Sequence, residues 1–447
     1  MLAESEVAAL AAVRIRGRLT AGLRPLEPPI GVRIPAPEPF PLFFLGLTHV
    51  CLHHMEIDNP LPEDTVAVIL AAGKSTRMKS RLPKAVHPLC GRPMVSYIIN
   101  ACESAGISLV VVVVGHQGET VVSSLTEQAH WDRHCDIRFA WQTEQRGTGH
   151  ALMAAMGAVP PAKCLLVLPG DTPLITGENL SELIRYHVQN RNDATLLTTV
   201  LPDGGHYGRI VRADDGSVLR IVEARDADPD TLAIREINTA IYCFNPERLL
   251  PALEQIRPDN NQGEYYLTDV IEILAKSGGR VGAITCPDSN VVLGINHRAE
   301  LAQVEAVMRE RILRSFMLAG VTVVDPKNTY IDADVEIAPD TVILPNTHIT
   351  GRSKLAENCR IGPSAWIADS VLGAGVKVSF CYIYQSNIGE NTVVGPFTHL
   401  GPNCTVGSGV NIGPFVHISD TDVPDKTDVR IQADIRMQTR GDTTCKD

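Results

Sequence analysis

The 447-residue chain has no apolar run long enough to cross a bilayer. Its best candidate, Phe40 to Leu52, is short, is broken by Pro41 and His49, and lies too far from Met1 for an ordinary signal peptide. Blocks of basic residues are absent too. With a formal net charge of −11, neither a nucleic acid nor a membrane is expected as a partner. The eleven cysteines are scattered and no two form a Cys-x-x-Cys pair, which speaks against a disulfide framework and a zinc site. Reduced thiols of this kind fit a cytoplasmic protein. The one segment that resembles a metal cluster, Trp131-Asp-Arg-His-Cys135, matches no ligand spacing and reads as a surface loop.

Two nucleotide fingerprints are also missing. Gly73-Lys74-Ser75 looks like the end of a P-loop, but the first glycine of that motif would fall at Val68, inside an apolar run. No Gly-x-Gly-x-x-Gly follows the run, so a dinucleotide fingerprint is excluded as well. What stands there is Val66-Ala-Val-Ile-Leu70, which reads as a buried strand. It breaks into Ala71-Ala72-Gly73, where a ligand can approach bare backbone. Arg77 follows, then Lys84 after Leu82-Pro83. A strand ending in small residues and followed by fixed cations outlines a polyphosphate site. The same residues also suit a plain strand, turn and helix with a surface Arg and Lys.

The length suggests two or three domains, and 44% apolar residues suffice for sizeable cores. From Thr65 to about Leu293, strand-like runs alternate with helix-like ones. Leu109–Val114 and Cys164–Leu168 read as buried strands, and Met94–Ser104 and Glu178–Gln189 as helices. Alternation of this kind predicts a mostly parallel sheet covered by helices, with ligands beyond the C-terminal strand ends. Gly73 and Asp171 both fall at such ends. A long helix is expected from about His297 to Leu318, with Leu301, Val304, Met308, Ile312 and Phe316 on one face. Beyond it the period becomes six. Ile331, Ile337, Ile343, Ile349, Leu355, Ile361 and Ile367 are evenly spaced. Leu372 and Val378 form a second register, and Ile388, Val394, Leu400, Val406, Ile412 and Ile418 a third. Neither a helix nor a flat sheet repeats in sixes; a parallel β-helix does, and the repeat is expected to stop at Ile418.

Leu70-Ala-Ala-Gly-Lys-Ser-Thr-Arg-Met78 with Leu82-Pro-Lys84 resembles the signature of the sugar-1-phosphate nucleotidyltransferases. The likeness extends through Gln142-Thr-Glu-Gln-Arg-Gly-Thr-Gly-His-Ala151, Gly170-Asp-Thr-Pro-Leu174, Tyr207-Gly-Arg-Ile210, Glu236-Ile-Asn-Thr239 and Asn261-Gln-Gly-Glu-Tyr-Tyr-Leu-Thr-Asp269. The last two segments point within that superfamily to the bifunctional N-acetylglucosamine-1-phosphate uridyltransferase/glucosamine-1-phosphate acetyltransferases. The resemblance runs from about Thr65 to Ile418. It implies an α/β fold: a Rossmann-like nucleotidyltransferase domain over residues 63–295, a connecting helix over 296–320, and a left-handed parallel β-helix over 321–418. A poorly ordered leader is expected over 1–62 and an irregular tail over 419–447.

The resemblance also implies the chemistry. UMP would pass from UTP to N-acetylglucosamine-1-phosphate, releasing pyrophosphate, with Mg²⁺ as cofactor. Arg77 would hold the triphosphate and Lys84 would bridge the phosphates of both reactants. Asp171 and Asn296 would hold the metal, although Asn296 equally suits a helix cap. Leu70, Ala72, Gly73, Gln142, Gly147 and Thr148 would line the nucleotide site, and Gly170, Gly208, Glu223 and Asn238 the sugar side. Tyr265 and Tyr266 would pack beneath the sugar, and Thr268 would cap the helix Asp269–Lys276. The sequence departs from the family at Pro169, where a tyrosine is expected, and at Gly401, where an arginine is expected. With no counterpart of the acetyl-transfer histidine after Ile418, the acetyltransferase half is expected to be truncated and inactive. Coils of this type usually form homotrimers. Another hexose-1-phosphate, or a non-catalytic regulatory subunit with the same layout, is the alternative.

Overall fold

The computed structural model describes residues 62, 64–74, 76–126, 134–292 and 294–430. The expected leader, apart from Pro62, lies outside them, as do residues 131–133 of the surface loop and the tail beyond Arg430. No helix among the described residues is long and apolar enough to cross a membrane.

Residues 64–292 build a nine-stranded sheet with helices on both faces. Its strands are β1 (Thr65–Leu70), β2 (Leu109–Val114), β3 (Asp136–Trp141), β4 (Cys164–Pro169), β5 (Ala194–Val200), β6 (Arg209–Arg212), β7 (Val218–Val222), β8 (Glu236–Phe244) and β9 (Val281–Thr285). The order is β9-β5-β8-β4-β1-β2-β3, with β6 and β7 added beside β8. All neighbours from β4 to β3 are parallel; β8 alone runs against β4 and β5. Every residue of β2 is buried, as its run of five valines after Leu109 requires of a strand covered on both faces. The helices are α1 (Met94–Ser104), α2 (Gly118–Thr126), α3 (Thr148–Ala155), α4 (Gly177–Gln189), α5 (Pro246–Leu253) and α6 (Asp269–Lys276). Thr176 caps α4 in a reciprocal box with Asn179.

Helix α7 (Arg298–Leu318) links the sheet to the coil. Its first half buries Val304 and Met308 against Met78, Leu89, Met94, Leu174 and Ile295. Its second half buries Leu313 against Val321, Val323 and Ile331. The two halves therefore belong to two cores, which is why one apolar stripe serves both. The cap of α7 is His297, not Asn296: the Glu300 N–H donates to His297 Nδ1 at 3.2 Å, and the Glu300 carboxylate accepts from the His297 N–H. A second tie joins the parts. Arg92 Nε donates to Asp334 Oδ1 at 2.7 Å, and the Ala333 N–H donates to the Cys90 carbonyl at 3.0 Å.

From Thr322 to Val429 the chain winds into three parallel sheets of seven, six and six short strands. Three apolar columns fill the prism. One stacks Val323, Ile343, Ile361, Val378, Val394, Ile412 and Val429. Another stacks Ile331, Ile349, Ile367, Ile383, Leu400 and Ile418. The third stacks Ile337, Leu355, Leu372, Ile388, Val406 and Val423. Two points differ from the hexad reading. Ile383 joins the core, and the coil continues past Ile418 through Val423 and Val429. The sides before and after Ile383 and the side before Val423 have five residues, so counting in sixes misses these inward positions.

Candidate active site

Strands β1, β2, β3 and β4 run in one direction, so their C-terminal ends share a rim. The turns after them are laced together there. The Ala71 N–H donates to the Val113 carbonyl at 2.9 Å, and the Gly170 N–H to the Leu70 carbonyl at 2.9 Å. A cavity of about 590 Å³ opens above. Its walls include Leu70, Ala72, Gly73, Arg77, Lys84, Gln142, Gly147, Thr148, Gly170, Asp171, Glu223 and Asn238.

At one end four residues distant in sequence form a cluster. Lys84 Nζ makes a short ion pair with Asp171 Oδ2 and lies 3.5 Å from Asn296 Oδ1. Arg77 Nη2 donates to Asn296 Oδ1 at 2.7 Å. The Ile295 N–H donates to the Asp171 carbonyl at 3.0 Å, which fixes the segment bearing Asn296 beside the end of β4. Asn296 is therefore spent on cations, and the capping role falls to His297 by default.

Gln142 is buried at the end of β3, its amide nitrogen 3.1 Å from the Gly147 carbonyl and 3.1 Å from His150 Nδ1. Gly147 has φ 106°, and a Cβ there would stand 2.6 Å from the Tyr265 carbonyl oxygen. Only glycine fits that turn. Thr148 opens α3, and its hydroxyl accepts from the Leu267 N–H at 3.1 Å.

The far end is built by β7, β8 and the start of α6. Strand β8 runs antiparallel, so its N-terminal part brings Asn238 to the same rim. Asn238 donates to the Tyr242 hydroxyl at 2.7 Å, and its backbone N–H donates to the Gly208 carbonyl at 2.8 Å. Gly208 itself lies behind Glu223 and Asn238, off the cavity wall. Burial pushes the Glu223 carboxyl above its usual range, opposed by the Thr268 hydroxyl, which donates to it at 3.3 Å. That bond corrects the sequence expectation for Thr268, whose side chain makes no capping bond to α6. Tyr265 and Tyr266 are also absent from the wall; Glu264, Leu267 and Thr268 stand there instead.

The cluster suits a hard cation. Asp171 and Asn296 offer oxygen, the donor Mg²⁺ prefers. The ammonium of Lys84 already lies against an oxygen of each, which shows that both oxygens face one point. Gly294 leaves room beside them: a Cβ there would still lie 3.7 Å from Asp171 Oδ1. Another group fails the same examination. Cys164, His187 and Cys243 meet in the core, but the two sulfurs are 2.7 Å apart. Two thiolates on a tetrahedral zinc, with Zn–S of about 2.3 Å, stand roughly 3.8 Å apart. Burial also pushes the Cys243 thiol up, against the thiolate a metal needs.

Sequence reasoning passed over Lys74, Gln145 and Glu264, which line the cavity. It also passed over His206, whose Nε2 lies 3.1 Å from Asn296 Nδ2. Lys74, Gln145 and Glu264 lie inside recognised motifs and were within reach; a histidine in a glycine-rich loop carries no signal of its own.

A family model described as a MobA-like NTP transferase domain matches residues 67–276, and one described as bacterial transferase hexapeptide, with six repeats, matches 385–420. The first covers the sheet as far as β8 with most of the rim, and the second the later turns of a left-handed parallel β-helix. Curated relatives named "Bifunctional protein GlmU" align with most of the chain. The one from Caldanaerobacter subterraneus subsp. tengcongensis is 44% identical over 338 residues, 76% of this chain and 72% of the relative. Those from Thermoanaerobacter pseudethanolicus and Heliobacterium modesticaldum are 45% and 46% identical, again covering 76% and 75% of this chain and 72% and 71% of theirs. Likeness of this depth, over 75–76% of the chain, makes it a member of the bifunctional GlmU family and its N-terminal half a nucleotidyltransferase.

Proposed function

We propose that the chain transfers UMP from UTP to N-acetylglucosamine-1-phosphate, giving UDP-N-acetylglucosamine and pyrophosphate. The observation that carries this is the convergence of Arg77, Lys84, Asp171 and Asn296 at one end of a cavity with a buried amide on one flank and a carboxylate on the other. A phosphate oxygen of the sugar must attack the α-phosphorus of UTP. Both reactants are anions, so the main work is to align them and neutralise their charge. Arg77 grips the triphosphate and then the leaving pyrophosphate. Lys84 exchanges Asp171 for the phosphates of both reactants. Asp171 and Asn296 would hold Mg²⁺, which would supply positive charge against the phosphate oxygens. Gln142, the Ala72–Gly73 backbone and the Gly147–Thr148 turn read the uracil, since an amide donates and accepts at once. Glu223 and Asn238 bind the acetamido sugar, with Gly208 behind them leaving space.

A regulatory subunit without activity would have lost a cation or the metal carboxylate; all are in place. The coil supports a homotrimer, because Tyr330, Trp366 and Tyr382 stand exposed along one face of it. The test is pyrophosphate release from UTP with N-acetylglucosamine-1-phosphate or glucose-1-phosphate, with Mg²⁺ and with EDTA. Release is expected with the first sugar and Mg²⁺, and is abolished by EDTA. Faster release with glucose-1-phosphate would replace the sugar assignment; none with either would refute the activity.

A further inference from the structure

We propose that His206 is a positioning residue that holds the Asn296 amide with its oxygen turned toward Lys84 and Asp171. The inference rests on the assignment of Asn296 to the metal site. Oδ1 of Asn296 receives the Arg77 guanidinium at 2.7 Å and faces the Lys84 ammonium at 3.5 Å. Two cations identify that atom as the oxygen, because an NH₂ group there would be repelled. The other amide atom is then the donor, and it points at His206 Nε2 at 3.1 Å. His206 must therefore accept through Nε2 and carry its proton on Nδ1. The ring is exposed, yet it is not adrift. It stacks on Tyr207 with centroids 4.6 Å apart, and the Tyr207 hydroxyl accepts from the Gly294 N–H at 3.3 Å. The loop carrying the acceptor is thus tied to the segment carrying the amide. An asparagine can offer a cation its oxygen or turn and offer its NH₂; an acceptor behind the nitrogen removes the second choice. Outer partners of metal ligands act this way, and losing one typically weakens metal binding about 10- to 100-fold.

The test measures Mn²⁺ affinity of the full chain by electron paramagnetic resonance, a readout independent of turnover. His206→Phe keeps a ring on Tyr207 and removes the acceptor; it should weaken Mn²⁺ at least about tenfold. His206→Gln restores an acceptor and should recover most of the loss. In an Asn296→Asp background both side-chain atoms are oxygen and nothing needs orienting, so His206→Phe should change affinity less than twofold. If Asn296→Ala weakens Mn²⁺ while His206→Phe binds as the parent does, the positioning role is wrong and the metal site stands. If Asn296→Ala binds as the parent does, the metal assignment falls and His206 with it.

Discussion

In the ion pair between Lys84 and Asp171, with side chains 15% and 26% exposed, the site's charges satisfy one another. Arg77 is the more exposed cation, and its tip donates to Asn296. Removing it deletes one donor aimed at developing phosphate charge, so Arg77→Ala should lower kcat by about 10²–10³. Turnover within threefold of the parent, measured by pyrophosphate release, would take Arg77 out of the catalytic machinery. Glu223 gives a pH signature. Its carboxyl is raised by burial, so it protonates at a higher pH than an ordinary glutamate. In the proposed role its ionised form would accept from sugar hydroxyls, and the neutral form would accept less well. The KM for the sugar phosphate should therefore rise as the pH falls toward that raised value. Glu223→Gln should lose this component and keep only what the substrate's own phosphate contributes; equal pH profiles would contradict it. At this scale much was legible. Arg77, Lys84, Asp171 and Gln142 stood in motifs, whereas Thr268 and His206 act through bonds between distant loops that no local pattern announces.

Among the elements, periodicity carried the information that single residues lacked. The ranges of α1 and β2 match those read from the sequence, because each has one buried face or two and a clear stop. The coil was legible as a repeat but not in detail. Its sides vary between five and six residues, and only a stacked neighbour reveals which residue turns inward. Ile383 is the instructive case, fully buried between Ile367 and Leu400. Ile383→Ala should cost about 2–5 kcal/mol, read from the urea midpoint of the coil transition. Lys377→Ala, exposed on a neighbouring strand, should stay within about 0.5 kcal/mol. Equal midpoints for the two variants would mean that Ile383 does not fill the prism.

The whole molecule joins a phosphate-handling rim to a coil through one helix whose halves sit in separate cores. This joint places Asn296, the proposed metal-site amide, two residues before the helix that enters the coil. The coil itself raises the question of a second activity, since the relatives are named as bifunctional. By the family resemblance an arginine belongs where this chain has Gly401. The backbone there has φ 116°, and a Cβ would stand 1.9 Å from the Tyr384 carbonyl oxygen. No side chain fits without moving the adjoining turn, so the backbone here suits glycine and not the expected arginine. Acetyl-coenzyme A with glucosamine-1-phosphate should accordingly yield no thiol above background, in the same sample that releases pyrophosphate from UTP. Gly401→Arg should not restore it, and should lower the melting temperature instead, because the strain falls on backbone. Thiol release by the parent chain would show that acetyl transfer proceeds here without an arginine at this position.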